Sequence, residues 1–128
     1  MNESPVRPSR GWAAKFRDAM RGMWIAARAS SSHAVHALVA AAVVAAGVAL
    51  RVERLEWCLL GGCIALVLAA ETFNSALESL AKALTDQYHP KLRDALDMGS
   101  GAVLVTAIGA VVIGVIVFLP RLIALFER

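Results

Sequence analysis

Three apolar blocks leave this chain few ways to fold. Residues 34–50 carry His36 as their one polar side chain, residues 57–70 are uncharged, and residues 99–119 contain no ionisable group. A bilayer span needs about 20 apolar residues at a rise of 1.5 Å each. The last block meets that length alone, and the first two reach it when His36 and the polar stretch after Ala70 are counted in. Inside hydrocarbon every backbone N–H and C=O must be bonded within the protein, so separate spans of this kind are helices. The expected fold class is therefore all-α, a polytopic membrane protein with three transmembrane helices. With 59% hydrophobic and 18% charged residues, the chain lacks the balance of an ordinary soluble domain. The first block starts more than thirty residues in, behind a basic segment, and no small-x-small cleavage pattern follows it. It reads as a retained span and not as a signal peptide.

The net charge of +3 acquires meaning from its placement. Arg7, Arg10, Lys15, Arg17, Arg21 and Arg28 precede the first block, and Lys82, Lys91 and Arg93 lie between the second and third. Arg51, Arg54, Arg121 and Arg128 occupy the other ends. An N-terminus inside puts nine bases on the cytoplasmic side and four outside, which is the orientation that the positive-inside rule favours. The expected topology is multi-pass with a cytoplasmic N-terminus. The basic excess then serves orientation and anionic headgroups, and nucleic acid is not an expected partner.

Along the chain, residues 1–10 are expected to be a disordered tail, and residues 11–128 a single membrane domain. Its parts are an amphipathic helix over 11–29, a first span over 33–50, a second span with a cytoplasmic extension over 57–84, and a third helix over 92–119. In the first of these, Trp12, Phe16, Ala19, Met20, Met23 and Trp24 recur at three- and four-residue steps between basic residues. That pattern suits a helix lying in the membrane interface; docking on other cytoplasmic structure is the alternative. Ser30, Ser31 and Ser32 offer capping hydroxyls before the first span. His33 and His36, one turn apart, lack a further ligand nearby and read as packed or interfacial histidines in preference to a metal pair. Tyr88-His89-Pro90 should break the helix, because proline disfavours helical geometry in the residue before it, and Pro120 should end the third span. Cys58 and Cys63, five apart, do not share a helical face and read as inert thiols.

Small residues form stripes at a spacing of four: Ala37, Ala41, Ala45 and Ala49 in the first span, Gly61, Ala65 and Ala69 in the second, and Ala102, Thr106, Ala110 and Gly114 in the third. Such stripes let helix backbones approach closely in lipid. Three of them exceed what one three-helix protomer uses, so a homo-oligomer is expected.

The chemistry concentrates in Glu71, Asn74 and Glu78, which follow the second apolar block at i, i+3 and i+7 and so share one stripe of a helix. An ionisable group at mid-bilayer costs roughly 2.5–3.5 kcal/mol on insertion scales, which argues for a function. Two carboxylates about 10 Å apart along the axis can divide the work, one accepting a hydroxyl proton and the other holding a divalent cation. Oxygen ligands of this kind suit Mg²⁺ shared with substrate phosphates. The chain contains neither a P-loop nor a kinase glycine loop. Asp97, beside Gly99 and Gly101, either meets an anionic ligand at a helix start or simply caps that helix.

Glu71-x-x-Asn-Ser-Ala-x-Glu78, then Tyr88-His89, then Asp97-Met-Gly-Ser-x-Ala-Val, on three spans behind an amphipathic helix, resembles the bacterial integral-membrane diacylglycerol kinase and undecaprenol kinase family. The resemblance runs from Gly11 to Leu119. It implies a homotrimer with active sites shared between neighbours, transferring phosphate from ATP with Mg²⁺ to a membrane lipid hydroxyl. By the same resemblance Glu71 is the catalytic base, Glu78 a metal ligand, and Asn74 and Asp97 nucleotide-binding residues near the phosphates. Asp97-Met-Gly-Ser resembles the diacylglycerol branch more, and His36 the undecaprenol branch. The chain departs from the family pattern at four positions: Ser30 stands for a second metal-binding glutamate, Leu96 for a phosphate-facing lysine, Gln87 for an acidic residue, and Lys82 for an aspartate. Arg93, one turn before Leu96, can supply the missing cation and joins the nucleotide-binding set. Lys82 is placed to pair with Glu78. A catalytically weakened paralogue that acts as a trimeric lipid-binding or structural membrane protein is the alternative function, and a proton-relay transporter subunit is a third reading.

Overall fold

The computed structural model describes residues 11–29 and 31–127. The tail over 1–10, Ser30 and Arg128 lie outside the described residues, so the expectations for the tail and for Ser30 have no structural counterpart. All described secondary structure is helical: α1 (Trp12–Ala29), α2 (Ser31–Ala49), α3 (Arg54–Leu84) and α4 (Pro90–Phe126). Three of these, α2, α3 and α4, are long and apolar enough to cross a membrane. At 37 residues, α4 extends about 55 Å, well beyond the roughly 30 Å of a hydrocarbon core.

The spans are joined by two tight reversals, which set them antiparallel. After α2, the backbone N–H of Arg51 bonds the Val48 carbonyl (3.3 Å) and that of Val52 the Gly47 carbonyl (3.1 Å). This is a Schellman-type C-cap, and Arg51 occupies its left-handed position with φ 51°, where glycine is usual. Val52 follows into the core. There it joins Leu60 and Val117, with Val43, Trp57, Ile113 and Phe118 packed around them. Gly47 allows this closure: a Cβ there would sit 2.7 Å from the Trp57 ring.

At the same end Arg121 makes a two-point bond to Glu56, Nη1 to Oε1 at 2.7 Å and Nη2 to Oε2 at 2.6 Å. Glu56 also accepts the Glu53 backbone N–H at 2.7 Å, satisfying one of the unpaired donors at the start of α3. Pro120 does not end the helix. α4 runs through it to Phe126, because breaking the helix at the membrane would strand backbone groups that cost several kcal/mol each, against about 3 kcal/mol for an internal proline. Arg121 also donates to the Val117 carbonyl at 2.9 Å, tying the turn around the proline to α3.

At the other end α3 stops at Thr85, whose hydroxyl accepts the Gln87 N–H at 2.9 Å. α4 restarts with Pro90 at its first position, where a missing N–H is harmless. Thus Asp97 is a helix-interior residue and not the cap. α2 begins at Ser31, so Ser31 and Ser32 lie inside its first turn.

The most extensive contact joins α3 to α4, with α2 on α3 and α1 crossing both α2 and α3. α1 leaves its apolar side uncovered, with Trp12 85% and Phe16 70% exposed, as an interfacial helix would. Two bases do not keep to the opposite face: Lys15 lies over the Trp12 ring and Arg28 over the Trp24 ring, adding a cation–π attraction.

Candidate functional site

The site is built where α3 passes α2 on one side and α4 on the other. Glu71 is 2% exposed, and Asn74 and Ser75 on the following turn are buried as well. Burying a carboxylate is costly unless polar partners surround it, and the partners come from α2. His33 Nδ1 is 3.8 Å from Glu71 Oε1, and His36 Nε2 is 3.8 Å from Oε2. His33 is buried among α3 hydroxyls, with Nε2 3.4 Å from Thr72 Oγ1 and Nδ1 3.5 Å from Ser75 Oγ. Thr72 in turn donates to the Leu68 carbonyl at 2.7 Å.

Asn74 faces the other neighbour. Its amide donates to Glu78 Oε1 at 3.0 Å, and its Oδ1 is buried without a hydrogen-bond partner. Gly99 of α4 comes up against that oxygen, since a Cβ at position 99 would lie 2.6 Å from it and 3.0 Å from Leu77 Cδ1. The stripe of three polar residues is thus divided, Glu71 towards α2 and Asn74 towards α4.

Two concavities adjoin the stripe. An apolar cleft of about 320 Å³ between α2, α3 and α4 includes His36, Val39, Leu60, Val67, Ala110 and Phe118 in its walls. Beyond Glu78, where α3 ends and α4 begins, an open groove of about 630 Å³ is lined by Lys82, Tyr88, His89, Arg93, Leu96 and Asp97, among others. Arg93 and Asp97 are exposed in this groove and pair at 3.8 Å. Among the described residues no ion pair joins Lys82 to Glu78, so the expected pairing is replaced by the Asn74 amide, which occupies Glu78 from the buried side.

The described residues form no cluster of three or more His, Cys, Asp or Glu side chains suited to a metal. What they offer is the Glu78 carboxylate, an oxygen ligand of the kind that fits Mg²⁺, which keeps waters and takes its remaining ligands from phosphates; Asn74 Oδ1 is turned against Gly99.

The sequence brought Glu71, Asn74 and Glu78 to one helix and placed Arg93 and Asp97 beyond them. It did not connect His33 and His36 to Glu71. A signal existed: in an antiparallel hairpin turning at Val52, His33 and Glu71 are equally far from the turn in sequence, which sets them at one depth.

A family model described as prokaryotic diacylglycerol kinase matches residues 17–118. The undecaprenol kinase of Bacillus subtilis is 35% identical over 107 residues, covering 84% of this chain and 87% of that protein. The diacylglycerol kinase of Synechocystis is 34% identical over 111 residues, 86% of this chain and 63% of its own length. The diacylglycerol kinase of Escherichia coli is 36% identical over 93 residues, 73% and 74% respectively. No solved structure gives a significant match.

Proposed function

Because the chain belongs to the prokaryotic diacylglycerol kinase family and is accordingly a membrane lipid kinase that uses ATP, we propose that Glu71 is its catalytic base. One observation carries this reading. The carboxylate is almost wholly enclosed within a span, beside His36, which also walls the apolar cleft. A lipid whose chain lies in that cleft brings its hydroxyl to Glu71.

Phosphoryl transfer asks a protein chiefly for positioning and charge stabilisation. In this reading Glu71 takes the hydroxyl proton as the lipid oxygen attacks the terminal phosphorus of ATP, whose bond to the β–γ bridging oxygen breaks and releases ADP. Asn74, Arg93 and Asp97 hold the nucleotide, its phosphates lying along the groove between the end of α3 and the start of α4. Glu78 would hold Mg²⁺, which would neutralise charge on the phosphates. Arg93 lines the same groove as Leu96, so its guanidinium can reach the side on which the family's lysine stands. The protomer sits in a bacterial inner membrane with its N-terminus and this groove on the cytoplasmic side, where nucleotide is available. It assembles as a homotrimer.

The relatives are named for two lipids. Diacylglycerol, giving phosphatidic acid, is favoured by Asp97-Met-Gly-Ser; undecaprenol is the second reading, supported by His36 at the cleft. Transfer of labelled phosphate from ATP to each lipid in mixed micelles decides between them. Turnover on at least one is expected, with Glu71→Gln slower by about 10²-fold or more, the range for a lost general base. No turnover on either lipid overturns the assignment. A large gain from combining Ser30→Glu with Leu96→Lys would instead favour a weakened enzyme that keeps its trimer and lipid binding.

A further inference from the structure

The proposed base has two neighbours that the reaction scheme above leaves unused. His33 and His36 project from successive turns of α2, and each presents one ring nitrogen to a different oxygen of the same carboxylate, both at 3.8 Å. No other ion pair or hydrogen bond reaches the Glu71 carboxylate from the described residues. His33 is itself fixed at both nitrogens. The Thr72 hydroxyl gives its hydrogen to the Leu68 carbonyl, its oxygen lies 3.4 Å from His33 Nε2, and a hydrogen on Nδ1 is what lets this ring hold Glu71. Nδ1 then lies between Ser75 Oγ at 3.5 Å and Glu71 Oε1 at 3.8 Å.

A glutamate side chain turns about three bonds, whereas a base acts only when its oxygen comes within about 2.6–3.2 Å of the proton it takes. Catalytic hydrogen bonds are often long before substrate binds and tighten afterwards, and 3.8 Å is short enough for a small side-chain rotation to close. We propose that His33 and His36 are positioning residues, which hold the two oxygens of Glu71 from the α2 side and fix the plane of its carboxylate for the lipid hydroxyl. The inference rests on the reading of Glu71 as the base. Positioning of this kind acts on the chemical step and leaves ground-state binding of nucleotide nearly unchanged.

The test measures kcat and KM for lipid and for ATP in mixed micelles, with helical content and assembled size checked for each variant. The apolar pair His33→Phe with His36→Leu should lower kcat by about 10²-fold, the loss expected when a reacting group is misplaced by about 1 Å, with the KM for ATP unchanged. The pair His33→Gln with His36→Gln keeps N–H donors and should recover most of that loss. If the apolar pair does not assemble, the single variants His33→Phe and His36→Leu take its place, each expected to lower kcat without moving the KM for ATP. Wild-type kcat in the apolar variants, or a loss confined to KM, overturns the proposal, as does a glutamine pair no better than the apolar one. Glu71→Gln separates the two claims: if it retains full activity, the reading of Glu71 fails, whereas an inactive Glu71→Gln beside a fully active apolar pair removes only the histidines' role.

Discussion

At Gly99 the absence of a side chain has a functional consequence. The Asn74 amide is pinned by its bond to Glu78, and its oxygen already faces the space that a Cβ at position 99 would enter. Gly99→Ala gains helix propensity worth roughly 0.5–1 kcal/mol, which offsets part of an overpacking cost of about 1–3 kcal/mol. The smaller response is therefore in stability and the larger in rate. Since a displacement near 1 Å can cost about 10²-fold, Gly99→Ala should bind nucleotide weakly or turn over slowly while remaining folded. Nucleotide titration beside a denaturation curve checks both halves. Sequence could assign Gly99 to close approach in general terms; that the group approached is Asn74 Oδ1 depends on the register of α4 against α3.

Among the elements, the reversal after α2 carries the local strain. Arg51 adopts a left-handed conformation that costs a non-glycine residue about 1–2 kcal/mol, and it is tolerated because the cap bonds and the burial of Val52 hold it there. Glycine would remove that strain but lose roughly 0.5–1 kcal/mol in unfolded-chain entropy. Arg51→Gly should accordingly stabilise the protein by up to about 1 kcal/mol, read as a shift in its reversible unfolding midpoint in micelles. No residue of this turn type advertises it in the sequence, where arginine gives no hint of a positive φ. Pro120 misleads in the opposite sense. Read locally it stops a helix, yet α4 continues because unpaired backbone at the membrane costs more than the proline does.

For the whole molecule, the largest unsettled surface is the one turned outward. Ala37, Ala41, Ala45 and Ala49 on α2 and Gly61, Ala65 and Ala69 on α3 are all exposed, while Ala110 and Gly114 of α4 line the apolar cleft. Among the described residues two of the three small-residue stripes are therefore left exposed on the protomer, and a homotrimer would cover them. Ala41→Leu with Ala65→Leu should leave the protomer helical but shift assembled size in detergent towards the monomer, since overpacking costs about 1–3 kcal/mol at each contact. An unchanged size would remove these stripes from the interface. The sequence by itself determined the three helical spans, the polar residues shared by about two turns of α3, and the family, because apolar length, helical period and motif spacing are local quantities. Only the tertiary structure decided that Glu71 turns to two histidines and Asn74 to a glycine. Those pairings depend on where each hairpin reverses: a turn at Val52 brings residues 33 and 71 level, and the second reversal brings 74 to 99 and 56 to 121. A shift of one or two residues in either reversal would rotate each helix face by a hundred degrees or more, which the pattern along one helix cannot reveal.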